Sequence, residues 1–343
     1  MDHLSMSQDK ERPGGGVAPG TGEGGPQPRE GQRGPRPPRP KKRDVHGWVV
    51  LDKPVGMTST HAVAIIKRIF NAKKAGHAGT LDPLASGLLP VALGEATKTV
   101  PFVMDGRKAY AFTVSWGAET DTDDAEGTVV ATSEARPDRA AIEALLPRFT
   151  GTVMQVPPRF SAIKIDGERA YDLARDGEVV ELQARPVQID RLSLVAHDGQ
   201  SSVFAAECGK GTYVRAIARD LGRALGCLGH VATLRRTRVG PFEEADGISI
   251  DALRELEGLD DAARAEKGLR PVAVGLGGLP QVTVTRSDAG RLMRGQSVLL
   301  RGRDAPLDEG CVAVFAHGAL IALGDLEHGE LHPRRIFNLP QAR

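Results

Sequence analysis

Cysteine is scarce. Cys208, Cys227 and Cys311 are few, odd in number and widely spaced, which argues against both a disulfide framework and a zinc site. Reduced thiols packed as small apolar side chains are expected. Aromatic residues supply only 4% of a chain that is 40% apolar, an ordinary balance for a globular protein dissolved in water. No apolar run approaches the roughly 20 residues needed to cross a bilayer, and the first residues lack the apolar core of a secretory signal. A cytoplasmic location with no membrane partner is expected. A glycine-rich dinucleotide turn, a P-loop and a metal-ligand cluster are also missing, which is consistent with a chemistry that needs no cofactor and no metal.

What is present is unevenly distributed. At 343 residues the length suggests two domains. The net charge of +1 conceals a basic segment, Lys210 to Arg238, with seven Lys or Arg against the single acid Asp220. Acids gather instead at 119 to 126 and 251 to 266. Residues 1–44 hold nine Gly and eight Pro with almost no large apolar side chains, too little burial to offset the entropy of ordering, so a disordered tail is expected. Arg33 to Arg43 carries six positive charges and no acid. It is either a non-specific attractor for polyanions or a solubilising leader.

Periodicity places the elements. Trp48 to Leu51 reads as a strand, and Thr58 to Phe70 as a helix with Val63, Ile66, Ile69 and Phe70 on one face. Tyr110, Phe112, Val114 and Trp116 alternate as in a half-buried strand. Pro137-Asp138 opens a second helix. Ile189 to Val195 and Val203 to Cys208 read as strands, and Thr212 to Leu225 as a helix with Val214, Ile217, Ala218, Leu221 and Leu225 inward. This irregular mixture favours an α/β sheet of mixed direction, an α+β architecture, over strict βαβ winding. Beyond Gly275 to Gly278 the pattern shifts to short strands at Val282–Val284, Val298–Leu300, Val312–Phe315 and Leu320–Leu323, a small β-rich barrel, followed by the basic stretch His332 to Arg335.

The stretch Gly76-His77-Ala78-Gly79-Thr80-Leu81-Asp82-Pro83-Leu84-Ala85-Ser86-Gly87 carries the chemistry. Its glycines permit close ligand approach, and Pro83 pushes Asp82 towards an extended conformation. Asp before Pro most often caps a turn. That bland reading yields to the company this loop keeps. His46 to Ser59, Gly76 to Pro90, Gly94-Glu-Ala-Thr-Lys98, Thr120-Asp-Thr-Asp-Asp124, Lys210-Gly-Thr-Tyr-Val-Arg215 and His230-Val-Ala-Thr-Leu-Arg-Arg236 occur in order. From about residue 46 to about 250, the chain closely resembles the TruB family of bacterial tRNA pseudouridine-55 synthases.

That resemblance implies a mixed-sheet pseudouridine synthase catalytic core over 45–274, with an insertion at about 155–185 that closes on RNA. A PUA-like RNA-binding domain over 279–343 would follow. The implied partner is the T-arm of tRNA, with no obligatory protein partner. The reaction breaks the bond from uracil N1 to ribose C1′ and rejoins the base through C5, without redox change. Asp82 takes the catalytic position as nucleophile. Whether it adds to C1′, adds to C6 or stabilises an eliminated sugar stays open.

An ionised carboxylate shut away from water needs a cation, and Arg215, in the Lys-Gly-Thr-Tyr-x-Arg block, is the candidate; a guanidinium can grip a carboxylate by two parallel hydrogen bonds. Asp124 is expected to share it. Arg219 and Arg223, continuing from Arg215 in steps of four, read as a solvated ridge. Calcium on Asp121, Asp123 and Asp124 is excluded because Ala125 and Glu126 break the ligand pattern. Tyr110 stands where the family stacks an aromatic on the target base, although a strand aromatic is more often core. Expected substrate contacts are His77, Tyr213, Leu234 as an apolar wall, Arg235 and Arg236. Lys53 would meet phosphate, unless Lys53-Pro54 is a structural turn. In the insertion, Lys164, Arg169 and Arg175 face either phosphates or solvent.

Overall fold

The computed structural model describes residues 41–161, 182–300 and 309–340, and the backbone of 164–165 and 168–169. Residues 41–343 form one compact unit. A ten-stranded mixed sheet organises it. Its strands, with two small hairpins between them, are β1 (Gly47–Lys53), β2 (Ala75–His77), β3 (Ser86–Leu93), β4 (Lys108–Trp116), β5 (Ala118–Thr120), β6 (Val129–Thr132), β7 (Gly151–Gln155), β8 (Lys164–Ile165), β9 (Glu168–Arg169), β10 (Arg185–His197), β11 (Ser201–Cys208), β12 (Gly229–Val239), β13 (Phe242–Glu243) and β14 (Ile248–Ser249). The main path runs β14-β1-β3-β12-β4-β11-β10-β7, with β2 on β3 and β13 on β12; β5 pairs with β6, and β8 with β9.

Two central strands escape the alternation that marks β4. β3 is buried along nearly its whole length, and a continuous apolar run carries no period from which to read it. β12 interleaves buried Val231, Leu234 and Val239 with arginines, so its composition resembles a basic loop. It nevertheless lies parallel to β3 at Arg235↔Ser86 and Arg236↔Gly87 and antiparallel to β4 at Leu234↔Phe112 and Arg236↔Tyr110. This pairing draws the Asp82 loop, Tyr110 and the Leu-Arg-Arg block together.

One face is covered by the Ser59–Ile69 helix, which Thr58 caps by accepting from the His61 amide, and by the Val214–Ala224 helix. Ala62, Ile66, Ile69, Phe70, Ile217, Ala218 and Leu221 meet Val49, Leu89, Phe112, Val114 and Phe204 in the main core. The Arg139–Leu145 helix starts at Asp138, whose carboxylate accepts from the Ala141 amide.

The second sheet has five strands, β15 (Gln281–Thr283), β16 (Val298–Leu299), β17 (Gly310–Ala316), β18 (Ala319–Glu327) and β19 (Glu330–Ile336), ordered β15-β17-β18-β19-β16. The expected β-rich C-terminal region is therefore present, with β19 and an Arg286–Met293 helix added. It shares an apolar cluster with the first sheet: Ala313, Leu320, Leu323 and Phe337 pack with Trp48, Val50, Leu88 and Phe242. Lys98 extends the joint by donating to the Ile336 carbonyl at 2.7 Å, while the Asn338 amide donates to Glu95 at 2.7 Å.

Residues 41–44, expected within the disordered tail, are held against the fold. Residues 1–40 lie outside the described residues, but 41–44 are pinned: the Arg43 amide donates to the Asn71 carbonyl at 2.8 Å, and Asp44 pairs with Lys73 at 2.6 Å. Most of the expected insertion is also outside the described residues, including Arg175 and the side chains of Lys164 and Arg169. Among the described residues, no helix is long and apolar enough to cross a membrane. Nor is there a group of three or more His, Cys, Asp or Glu placed to hold a metal ion.

Candidate active site

Asp82 is held by its neighbours' backbone. Ser59, buried at the start of its helix, accepts from the Leu81 amide at 2.9 Å and donates to the Leu81 carbonyl at 3.0 Å. The Pro83 carbonyl accepts from the Gly56 amide at 2.7 Å, and the Asp82 carbonyl from the Ala85 amide at 3.1 Å. On the β12 side, Arg236 donates through Nε to the Leu88 carbonyl at 2.8 Å, through Nη1 to Thr80 at 3.2 Å and through Nη2 to Gly79 at 3.1 Å. Gly87 makes this approach possible. Its φ is +97°, and a Cβ there would stand 2.2 Å from the Arg236 carbonyl oxygen. With its main chain satisfied on both flanks, the loop leaves the Asp82 carboxylate as its projecting group.

Arg215 approaches from the facing helix. Its Nε lies 3.1 Å from Asp82 Oδ2 and its Nη1 3.3 Å from Asp124 Oδ2. Nη1 also donates to the Thr122 carbonyl at 2.9 Å, and Nη2 to the Phe160 carbonyl at 2.9 Å. The expected grip of two parallel bonds on one carboxylate is thus replaced by a guanidinium spread over two carboxylates and two carbonyls. Asp124 shares Arg215 as expected. It is fixed by Thr122 Oγ1 at 2.6 Å and the Glu126 amide at 3.0 Å. Exposure separates the partners: the Arg215 side chain is 6% exposed and Asp124 4%, whereas Asp82 is 35% exposed and open to a ligand.

Asp82 and Arg215 lie between two depressions. One, of about 490 Å³, is lined by Thr58, His77, Glu126, Phe160 and Ser161. The other, of about 280 Å³, is lined by Lys108, Tyr110, Tyr213, Leu234 and Arg236. Tyr110 is half-buried on β4 beside Arg236; burial raises its phenol above the ordinary range, and the positive charge of Arg236 opposes this. Leu234, 7% exposed, supplies an apolar wall. Tyr213 is anchored through its backbone, which exchanges hydrogen bonds with the Gln155 amide group at 2.9 and 3.2 Å. Burial pushes the Glu126 carboxyl upward, with Asp124 and Asp82 adding to the shift.

Four basic residues are corrected. Lys53 is fully buried, not phosphate-facing: Nζ donates to the carbonyls of Pro54 at 2.9 Å, Met57 at 2.8 Å and Pro83 at 3.4 Å, so the structural-turn alternative holds. Burial pushes its ammonium down to about 8 against the pull of Asp82. Arg235 turns away from both depressions and forks onto Asp52 at 2.9 and 3.0 Å, with Nε on Glu244 at 2.7 Å. Its strand alternation puts it on the face opposite Arg236. Arg236, although beside the pocket, spends its donors on the Asp82 loop. Arg219, expected on a solvated ridge with Arg223, is 6% exposed and pairs with Asp123 at 2.9 Å; only Arg223, on Glu119, fits the surface description.

Sequence reasoning missed Ser59, Lys108 and the Asp123–Arg219 pair. Lys108 is buried and donates to the carbonyls of Met104 and Gly106; burial pushes it down to about 8. A hydroxyl in a helix's first turn or a lysine at a strand's start carries no signal of such a role. Arg219 had one, the four-residue step from Arg215.

Three family models match in succession: the TruB family pseudouridylate synthase N-terminal domain over 67–214, the tRNA pseudouridylate synthase B C-terminal domain over 215–276, and the pseudouridine synthase II TruB C-terminal region over 280–337. A protein named tRNA pseudouridine synthase B from Bradyrhizobium diazoefficiens is 66% identical over 307 residues, 88% of each chain. One of the same name from Rhodopseudomonas palustris is 65% identical over 308 residues, 88% of this chain and 83% of that one. Among solved structures, an H/ACA ribonucleoprotein bound to a substrate RNA containing 2′-deoxyuridine aligns with a TM-score of 0.66 at 26% identity, covering 86% of this chain and 85% of that one. With family models matched in succession and relatives this similar along most of their length, the chain belongs to the TruB family of pseudouridine synthases.

Proposed function

We propose that this protein is a tRNA pseudouridine-55 synthase, an isomerase that converts a T-loop uridine to pseudouridine. The observation that carries this reading is the reachable Asp82 carboxylate fixed against the buried Arg215 guanidinium between two depressions. In the reaction the N1 to C1′ bond breaks, the base turns, and C5 bonds to C1′. C5 loses a proton and N1 gains one, so atoms and electrons balance without a redox partner. The target uridine must leave its stack, because C1′ and C5 are otherwise shielded.

Asp82 acts as the nucleophile, its charge favoured by Arg215. Asp124 holds Arg215 from the far side. Tyr110 and Leu234 enclose the extruded base, and His77 meets RNA from the neighbouring depression. Tyr213 completes the wall. Residues 45–274 serve as the catalytic domain. Residues 279–343 serve as a PUA-like RNA-binding domain whose exposed His332, Arg334 and Arg335 contact phosphate. The chain acts in the cytoplasm, where new tRNA is found, without an obligatory protein partner: the relatives named as tRNA enzymes match it far more closely than the ribonucleoprotein does.

The test is to incubate the purified protein with an unmodified tRNA transcript and map pseudouridine by carbodiimide-dependent primer extension. A single T-loop signal is expected. Signals scattered over many sites, or none until other proteins are added, would overturn the reading.

A further inference from the structure

The Val214–Ala224 helix carries a second buried arginine one turn beyond Arg215, and its contacts repeat those of the first. Arg215 binds Asp124 and the Phe160 carbonyl. Arg219 binds Asp123 through Nη1 at 2.9 Å and the Val156 carbonyl through Nη2 at 2.7 Å, with Nε on Asp220 at 2.8 Å. Two adjacent carboxylates thus meet two arginines spaced by one helical turn, and the chain leading to Phe160 is tied at both steps. Consecutive side chains of an ordinary strand point to opposite faces. Here Asp123 takes φ +62°, a left-handed conformation that costs a non-glycine residue energy. That turn lets both carboxylates face the same helix. Backbone bonds lock it to β12: the Val231 amide donates to the Asp123 carbonyl at 3.1 Å, and the Ala125 amide to the Val231 carbonyl at 2.9 Å.

We infer that Asp123 and Arg219 form a positioning pair, which sets the rotation and rise of the Val214–Ala224 helix so that Arg215 meets Asp82 and Asp124 together. Neither residue lines the two depressions that Asp82 opens into, so the pair acts through Arg215 and not on the base. Buried charges are costly unless paired, and such a pair chiefly specifies geometry. This inference rests on the proposed synthase activity.

The pair also carries a pH readout. Burial pushes the Asp123 carboxyl up to about 6, with Arg219 and Arg215 on the helix opposing the shift and Glu119 on β5 adding to it. Asp121, Arg159, Asp220 and Arg223 line the same depression as Asp123 and Arg219, and His230 on β12 is bonded through Nδ1 to the Ala118 carbonyl at 2.9 Å. Above about pH 6 Asp123 is ionised and the pair is intact. As pH falls through that value, protonation removes the charge and breaks the ion pair, leaving Arg219 on Asp220 and the Val156 carbonyl.

The experiment measures single-turnover pseudouridine formation at saturating enzyme, tRNA affinity and thermal unfolding for the wild type, Asp123→Asn, Arg219→Met, Arg219→Lys and the Asn/Met double variant. Expected are rate losses of about tenfold or more for Asp123→Asn and Arg219→Met, with affinity within about threefold and the protein folded at assay temperature. Arg219→Lys should recover part of the rate. The double variant should be no slower than the worse single one, because the two residues act as a unit. The wild-type rate should fall below about pH 6, and Asp123→Asn should lose that limb. Rates within twofold of wild type for both single variants, or losses that track affinity or unfolding, would overturn the inference. Hydrogen exchange separates the two readings: faster exchange of the 214–219 amides in Arg219→Met is expected whether or not the wild type modifies tRNA. Unchanged exchange sinks the pair, whereas an inactive wild type sinks the synthase reading.

Discussion

The two sheets use positive charge in opposite ways. Around the ten-stranded sheet, Lys53, Lys108, Arg215, Arg219 and Arg236 are all buried, and their donors are taken by backbone carbonyls and carboxylates. On the five-stranded sheet, Arg334 and Arg335 stand in solvent, Arg334 making a 3.4 Å surface contact with Asp325. A buried cation with satisfied donors fixes shape, and removing it strands the groups it served. An exposed one contributes little to folding and is available to a polyanion. Basic residues near the Asp82 carboxylate should therefore control rate and stability, and those of the second sheet should control affinity.

The largest test of that contrast is the carboxylate itself. Asp82→Asn keeps the shape and loses the charge, so product formation should fall by at least about 1,000-fold while tRNA affinity stays within a few-fold. Single-turnover kinetics beside a binding titration measures both. Retained turnover would remove Asp82 from the chemistry. Next in size is Arg215→Met, with an expected rate loss of about 100-fold or more. Arg215→Lys should recover only a fraction, since one ammonium cannot serve two carboxylates and two carbonyls at the positions the guanidinium reaches. Equal rates for Lys and the wild type would show that spread geometry to be dispensable.

How far the sequence could be read follows the same divide. Wherever side chains alternate or repeat, as in β4, β11 and the Ser59–Ile69 helix, local pattern and structure agree, because burial of one face is what the pattern encodes. β3 and β12 were not legible, one being apolar throughout and the other rich in arginine. The identities of Asp82, Tyr110, Arg215 and Leu234 could be picked out, and the fold brings them together. The destinations of the basic residues could not. Arg235 and Arg236 are neighbours in one motif, yet strand geometry sends the first to Asp52 and the second under the Asp82 loop. The apolar cluster joining the sheets was equally hidden, since packing between Trp48 and the distant C-terminal strands leaves no local trace. Truncating 279–343 would expose Trp48, Val50 and Leu88, so point substitutions are the cleaner probe of that region.

A smaller effect is expected from the loop's support. Arg236→Met leaves the Gly79, Thr80 and Leu88 carbonyls without their donors, which should cost about 1–3 kcal/mol in chemical unfolding. It should also slow modification by about tenfold. Gly87→Ala attacks the same joint from the other side, adding a Cβ against the Arg236 backbone at a φ of +97°, and should destabilise by about 2 kcal/mol or more. If both variants unfold like the wild type, the close β3–β12 approach does not hold the loop.

The smallest expected effect lies on the second sheet. Arg334→Gln and Arg335→Gln remove charge from exposed positions on β19, where Arg335 pairs with Leu323 of β18 and Arg334 falls at the register shift beside it. Thermal stability should change by no more than about 0.5 kcal/mol, and the saturated single-turnover rate should match the wild type. Affinity for tRNA should fall a few-fold at low salt. For every phosphate that the protein no longer neutralises, the slope of log affinity against log salt should drop by about 0.7 to 0.9, because fewer counterions are released on binding. A titration series from about 50 to 200 mM salt resolves a change of that size. An unchanged slope would mean that these arginines do not touch RNA. A slower saturated rate with a normal slope would instead place the second sheet in the catalytic machinery, through its shared core with β1 and β3, and would end the separation of rate-setting from binding cations.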